Sequence, residues 1–284
     1  GRKVYESNGA LMSHFTGLDA ALADTLEKRA DGGIDHSLCN VLRLRRPVVI
    51  MDEAHNARTP LSFETLARFN PSCILEFTAT PDQEKNPSNI LHHASAAQLK
   101  AEGMIKLPIR LETHENWQET MANAVQKRVQ LARLAQEERQ ATGEYLRPIV
   151  LLQAQPHRQG QQTLTVDVLK EALQKDFKIP EEEIAIATGD QRELEKVNLF
   201  EPTCPINFII TVQALREGWD CSFAYVLCSV AEMHSGTAVE QILGRILRLP
   251  RASWKQPADL NRAYAFVSSR NFGETAKSLQ DALV

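Results

Sequence analysis

Apolar positions along the chain fall into two kinds of pattern. Short, near-continuous apolar runs occur at Pro47–Asp52 (PVVIMD), Cys73–Ala79 (CILEFTA), Pro148–Gln153 (PIVLLQ), Ile184–Ala187 (IAIA), Ile206–Val212 (INFIITV), Tyr225–Val230 (YVLCSV) and Tyr264–Val267 (YAFV). Rich in β-branched residues and lacking strict alternation, they predict strands covered on both faces, as in a parallel sheet. Between them the apolar period lengthens to that of a helix. Leu164, Val168, Leu169, Ala172 and Leu173 mark one buried helix face, and Val239, Ile242, Leu243, Ile246 and Leu247 another, the latter with Ser235 or Thr237 as its cap. Such strand–helix alternation predicts an α/β, doubly wound parallel sheet.

The middle of the chain departs from this rhythm. Residues 116–144 (NWQETMANAVQKRVQLARLAQEERQATGE) predict one long polar helix, ended by Gly143 and followed by Pro148. This divides the chain into an incomplete α/β unit at 1–115, a helical connector at 116–146 and a fuller α/β unit at 147–284. No tandem repeat or low-complexity tract is present.

Composition adjusts the picture modestly. With 284 residues, 43% apolar and 24% charged, the chain has the make-up of an ordinary globular protein. Lys and Arg number 32 against 36 Asp and Glu, a net charge of −4, so there is no global basic field to gather nucleic acid. Cys39, Cys73, Cys204, Cys221 and Cys228 form no C-x-x-C pair, which argues against a zinc site or disulfide framework and for reducing cytoplasm. Cys73 and Cys228 lie within apolar runs, where a thiol is expected to be a small buried hydrophobe. No apolar run is long enough to span a bilayer, so no membrane is expected as a partner. The sequence opens on Gly rather than Met, and is therefore expected to begin inside a longer protein.

The candidate chemistry lies at the ends of the predicted strands. Asp52 and Glu53 follow an apolar run and precede Ala54 and His55. Open α/β sheets place ligands at the carboxyl ends of strands, and paired carboxylates there suit a magnesium-bound nucleotide: one holds the hard cation, the other orients a water. Taken alone, the pattern equally describes an acidic strand-to-loop turn. Thr78 and Thr80 end the next run, before Pro81. In the second half, Thr211 ends a run, and Gly218, Trp219 and Asp220 follow in a polar loop. Gly218 suits a tight turn, while Asp220 can accept from a ribose hydroxyl or pair with an arginine. Gln241, Arg245 and Arg248 lie on the last predicted helix. Arginines on helices usually sit in solvent, but these two emerge among Ile and Leu, where an unpartnered charge is costly and a phosphate is a fitting partner.

In this order and spacing, DEAH at Asp52–His55, TATP at Thr78–Pro81, ITVQALREGWD at Ile210–Asp220 and QILGRILR at Gln241–Arg248 resemble motifs II, III, V and VI of superfamily 2 helicases and translocases. The wording of ILEFTATP, LREGWDCS and EQILGRILRLPRA is most similar to the restriction subunit of type III restriction–modification enzymes. The resemblance implies two RecA-like lobes that hydrolyse ATP with Mg2+ at their interface to drive translocation on DNA, alongside a modification (methyltransferase) subunit. It implies that Asp52 holds magnesium, Glu53 activates the attacking water, and Arg245 and Arg248 act as arginine fingers. Gly218, Asp220 and Gln241 would line the nucleotide cleft. His55, Thr78 and Thr80 would couple nucleotide state to nucleic-acid grip, and Thr211, His157 and Arg158 would contact nucleic acid.

The sequence departs from that family in two respects. It contains no G-x-x-x-x-G-K-S/T phosphate loop, since Asp31-Gly32-Gly33 lacks the lysine and hydroxyl, and Ile242 stands where many relatives carry another arginine. The first lobe is thus expected only from its middle onward, with no nuclease domain after the motor. Two other readings remain: a non-catalytic nucleic-acid- or partner-binding fragment, and an RNA helicase of the same superfamily. The contiguous Pro81–Lys85 is not read as a nuclease site, and the adjacent His92 and His93 are read as a surface pair rather than metal ligands. For Trp117, Trp219 and Trp254, packing is the favoured role over base stacking.

Overall fold

The computed structural model describes residues 2–78, 87, 89–157, 163–188, 193–212, 219–232, 236–269 and 274. Two compact units divide the chain, Gly1–His93 and Ala94–Val284.

In the first unit, α1 (Ala20–Asp24) and α2 (Leu38–Arg45) precede β1 (Val48–Met51), followed by α3 (Pro60–Phe69) and β2 (Cys73–Glu76). Each helix starts where a side chain relieves its orphan amides: Asp19 accepts from Leu22, Ser37 from Asn40 and Thr59 from Ser62, with Pro60 at the first position of α3. β1 and β2 pair in parallel from Val48 opposite Cys73 to Met51 opposite Glu76. Polar contacts rather than apolar bulk tie down the segment before them. The buried Asn40 accepts from the Glu27 amide at 2.9 Å and donates to the Glu27 and Asp35 carbonyls at 2.8 and 2.7 Å. Arg68 forks onto both Glu27 oxygens at 2.6 Å and lies over the Tyr5 ring.

The second unit holds α4 (Ala96–Ala101), β3 (Ile109–Thr113), α5 (Trp117–Thr142), β4 (Ile149–Gln153), α6 (Val166–Lys175), β5 (Ile184–Ile186), β6 (Phe208–Thr211), β7 (Ala224–Ser229), α7 (Gly236–Leu247) and β8 (Ala263–Val267). Its six strands run in the order β3-β8-β7-β4-β6-β5, every pairing parallel. All residues of β4, β5, β6, β7 and β8 are buried, so both faces of this sheet are covered, as their apolar runs predict. α5 packs on β4, β7 and β8, α7 on β7 and β8, and α6 on β6. The fold class is α/β with parallel sheets, as expected, and all seven expected strands are present.

Several expectations change. The units divide at His93/Ala94 rather than at 115/116 and 146/147, because β3 pairs with β8 and α5 packs against the second sheet instead of standing as a connector. The β1 and β2 runs are not doubly covered: Val48, Ile50 and Phe77 are 58%, 67% and 58% exposed. Cys73 on β2 is likewise exposed, whereas Cys228 on β7 is fully buried. Val168 turns outward, since the buried face of α6 is carried by Leu169, Ala172 and Leu173. Ser235 and the Thr237 side chain lie outside the description, so the start of α7 has no assigned cap. No described helix is long and apolar enough to cross a membrane.

Candidate functional site

In the first unit the exits of β1 and β2 are laced together. The Phe77 amide donates to the Met51 carbonyl at 2.8 Å, and the Ala54 amide to the Phe77 carbonyl at 3.1 Å. These bonds set the acidic turn beside Thr78. Asp52 is exposed, and its Oδ1 accepts from the Glu53 amide at 3.0 Å. Glu53 is exposed and adopts φ +48, ψ +46, the left-handed conformation that a side-chain-bearing residue visits at a cost of roughly 1–2 kcal/mol. The chain therefore spends backbone strain at the very carboxylate singled out by its position.

His55 joins the pieces. Its Nδ1 lies 3.4 Å from Glu53 Oε2 and 3.2 Å from Thr78 Oγ1. Its Nε2 is buried with no partner among the described residues. Behind the turn, Arg58 forms an ion pair with Glu76 at the end of β2, holding the following loop to the strand. Thr80 lies outside the described residues.

In the second unit the loop before β7 and the end of α7 are tied together. Arg245 Nη1 donates to the Trp219 carbonyl at 2.5 Å. Arg248 pairs with Asp220, both side chains being about half exposed or more (65% and 47%). Of the two partners open to Asp220, the structure thus shows the arginine. The apolar neighbours of Arg245 and Arg248 face the core, while Arg248 itself reaches the surface just past the last turn of α7. Gln241 is exposed on α7 and His157 exposed after β4. Thr211 is only 2% exposed at the carboxyl end of β6, an interior strand, and its carbonyl accepts from the Ala154 amide at 2.7 Å. Gly218 and Arg158 lie outside the described residues.

The residue that sequence reading missed is Lys106. It is fully buried, and its Nζ donates to the Ser222 and Ala224 carbonyls at 3.0 and 2.6 Å while lying 3.8 Å from the Tyr225 ring centroid. Its own amide donates to the Leu247 carbonyl at 2.6 Å, and Leu249 donates to Met104 at 2.9 Å. One residue thus fastens the segment after Asp220 to the carboxyl end of α7, where Arg245 and Arg248 stand. Burial pulls the Lys106 ammonium well below its usual range, opposed by the nearby Cys221 and Asp220. The only sequence signal was a lone lysine between Ile105 and Leu107. Of the tryptophans, Trp117 and Trp219 pack against the core, and Trp254 is 49% exposed.

The family model described as type III restriction enzyme, res subunit, matches residues 19–83. That stretch carries Asp52, Glu53, His55 and Thr78. Over that stretch, about a quarter of the chain, the sequence is similar to the res-subunit family. Solved structures similar to the chain include the ATP-dependent Type ISP restriction-modification enzyme LlaBIII bound to DNA, at 12% identity over 85% of this chain and 21% of that one, TM-score 0.45. Another is a variant of S. cerevisiae Dbp5 bound to a variant of Gle1 and IP6, at 14% identity over 88% of this chain and 61% of that one, TM-score 0.46. The chain therefore spans less than two thirds of either structure's length. No curated protein matches the chain.

Proposed function

We propose that these 284 residues belong to the motor of a type III restriction subunit, an ATP-dependent translocase on DNA that works beside a methyltransferase subunit. The observation that carries the reading is His55, whose Nδ1 stands within 3.4 Å of Glu53 and 3.2 Å of Thr78, in the segment that the res-subunit family model matches. Glu53 orients and deprotonates the attacking water, and His55 reports the state of that carboxylate to the Thr78 loop. Arg245 and Arg248 supply positive charge for the transferring phosphoryl group, a role worth about 10³–10⁵ in rate in phosphoryl-transfer enzymes. Asp52, an exposed carboxylate at a strand end, fits water-mediated binding of magnesium, which would neutralise phosphate charge there. Gln241, Asp220 and Gly218 line the nucleotide, and His157, Arg158 and Thr211 belong to the nucleic-acid side.

Nothing in these residues supplies the lysine-bearing loop that cradles β- and γ-phosphates, so the motor needs further sequence for tight nucleotide binding. DNA-stimulated ATP hydrolysis by the full-length natural protein tests the reading. Glu53→Gln is expected to abolish hydrolysis while leaving nucleotide binding intact, and His55→Ala to reduce stimulation by DNA. Undiminished turnover in Glu53→Gln refutes the assignment. Stimulation by RNA in preference to DNA refutes the substrate.

A further inference from the structure

The amino ends of β4, β5 and β6 gather polar groups that belong to none of the motifs above. A cavity of about 400 Å³ opens there, with Arg128, Tyr145, Arg147, Glu182, Glu183 and Asn207 in its wall. Arg147 is only 8% exposed. Its Nη2 donates to the Leu199 carbonyl, but Nε and Nη1 are buried without a partner, and no carboxylate pairs with it among the described residues. A guanidinium is charged at every pH a protein meets, so it cannot escape this cost by losing its proton. A buried cation of this kind calls for an anion.

The neighbours narrow the choice. Arg128 reaches in from α5, its Nε donating to the Pro148 carbonyl at 3.3 Å. Burial holds its pKa below the usual arginine range, with Glu183 opposing and Arg147 adding to the shift. Asn207 is 9% exposed and donates to Glu183 Oε2 at 2.7 Å, yet its own Oδ1 is buried without a partner. The wall thus offers two guanidinium groups to an anion and an orphaned acceptor to a donor. A bare carboxylate supplies no donor for Asn207 or for the neighbouring Glu182 and Glu183. A phosphate oxygen cluster matches the arginines, and a hydroxyl on the same molecule answers Asn207 and the glutamates. The cavity is larger than a lone phosphate needs and lies in the usual range for small-molecule sites, about 300–1,000 Å³.

We propose that this cavity binds a small phosphate ester bearing hydroxyl groups, the class to which sugar phosphates and nucleotides belong. Arg147 and Arg128 take the phosphate oxygens, while Asn207 and the glutamates accept from the hydroxyls. None of Asp52, Glu53, Asp220, Arg245 and Arg248 is in its wall.

Calorimetric titration of the chain with ribose 5-phosphate, inorganic phosphate and ribose tests the proposal. Saturable binding is expected for ribose 5-phosphate, weaker binding for inorganic phosphate, and none for ribose. Arg147→Met and Arg128→Met are each expected to weaken ribose 5-phosphate binding by about tenfold or more, the loss of a charge-assisted contact. Arg147→Met is also expected to melt no lower than the parent without ligand, because it removes an unneutralised buried charge. Should that variant fail to fold, Arg128→Met decides alone. Absence of saturable binding, equal binding by Arg128→Met or a folded Arg147→Met, or loss of binding in Arg248→Ala would overturn the proposal; the last outcome would move the phosphate to the arginines of α7.

Discussion

Arg248 and Asp220 show how little an ion pair says about stability when both partners face water. With side chains 65% and 47% exposed, the pair gains modest Coulomb energy and is screened by salt. A double-mutant cycle on Arg248→Ala and Asp220→Ala is expected to return a coupling of about 0–1 kcal/mol in urea melts. The same substitutions should remove most DNA-stimulated ATP hydrolysis in the full-length protein. A large stability coupling with intact hydrolysis would make the pair a structural clamp. At this scale the sequence was informative about which residues to name and less so about their surroundings. The two arginines stand among Ile and Leu in the sequence, but the helix turns those neighbours inward and leaves Arg248 at the surface, on a segment bridged to Ile105. Glu53 could be picked from its place after an apolar run, whereas its left-handed backbone could not, since any acidic residue can end a strand.

Elements were legible where the apolar run was strong. β4, β6 and β7 (PIVLLQ, INFIITV, YVLCSV) lie within one or two residues of where the pattern puts them. β3 went unseen because IRLET alternates charge with apolar side chains at a sheet edge and carries no run of its own. α5 was placed to within a residue or two but assigned the wrong company: its small polar-looking face, with Thr120, Met121, Ala124, Leu131, Ala135 and Glu138 buried, covers the sheet. Lys106 belongs to the same lesson, since only the tertiary fold brings Leu247, Ser222 and Ala224 to it. Lys106→Met strands two buried carbonyls and is expected to lower stability by about 1–3 kcal/mol, read from urea melts at neutral pH. A neutral or stabilising outcome would mean that relief of the cost of burying and deprotonating the amine outweighs the lost hydrogen bonds.

The two units differ most in how much they bury. Among the described residues of the first, Phe15, Leu26, Cys39 and Ala54 are the buried apolar ones, and the strands expose Val48 and Ile50; in the second, six strands share one continuous core. Amide exchange on the isolated chain is therefore expected to be far faster in β1 and β2 than in β4 and β7, with unfolding in more than one step. Uniform protection would contradict this.

Alkaline pH probes the larger core, because its buried ionisable groups shift in opposing senses. Burial pushes the Cys228 thiol from 9.0 up to about 12 and the Cys221 thiol from 9.0 up to about 11. Tyr225 and Tyr264 are also raised by burial. Each folded group keeps a proton that the unfolded chain has released, so its stabilisation is whole below the unfolded value and is lost as pH climbs toward the folded one. Lys106 acts oppositely: its lowered value means the unfolded chain binds the extra proton up to 10.5, so its contribution improves as pH rises toward that point. Below pH 9 the lysine acts without the thiols, and above it two thiols, then two tyrosines, oppose one lysine. The second unit should be most stable near about pH 9 and weaken beyond it. Melts from pH 7 to 11 check this. Cys228→Ala should flatten the alkaline fall whatever its effect on the plateau, and Lys106→Met should erase the rise below it. A stability that climbs steadily through pH 10 would mean that these thiols are not sealed in the core.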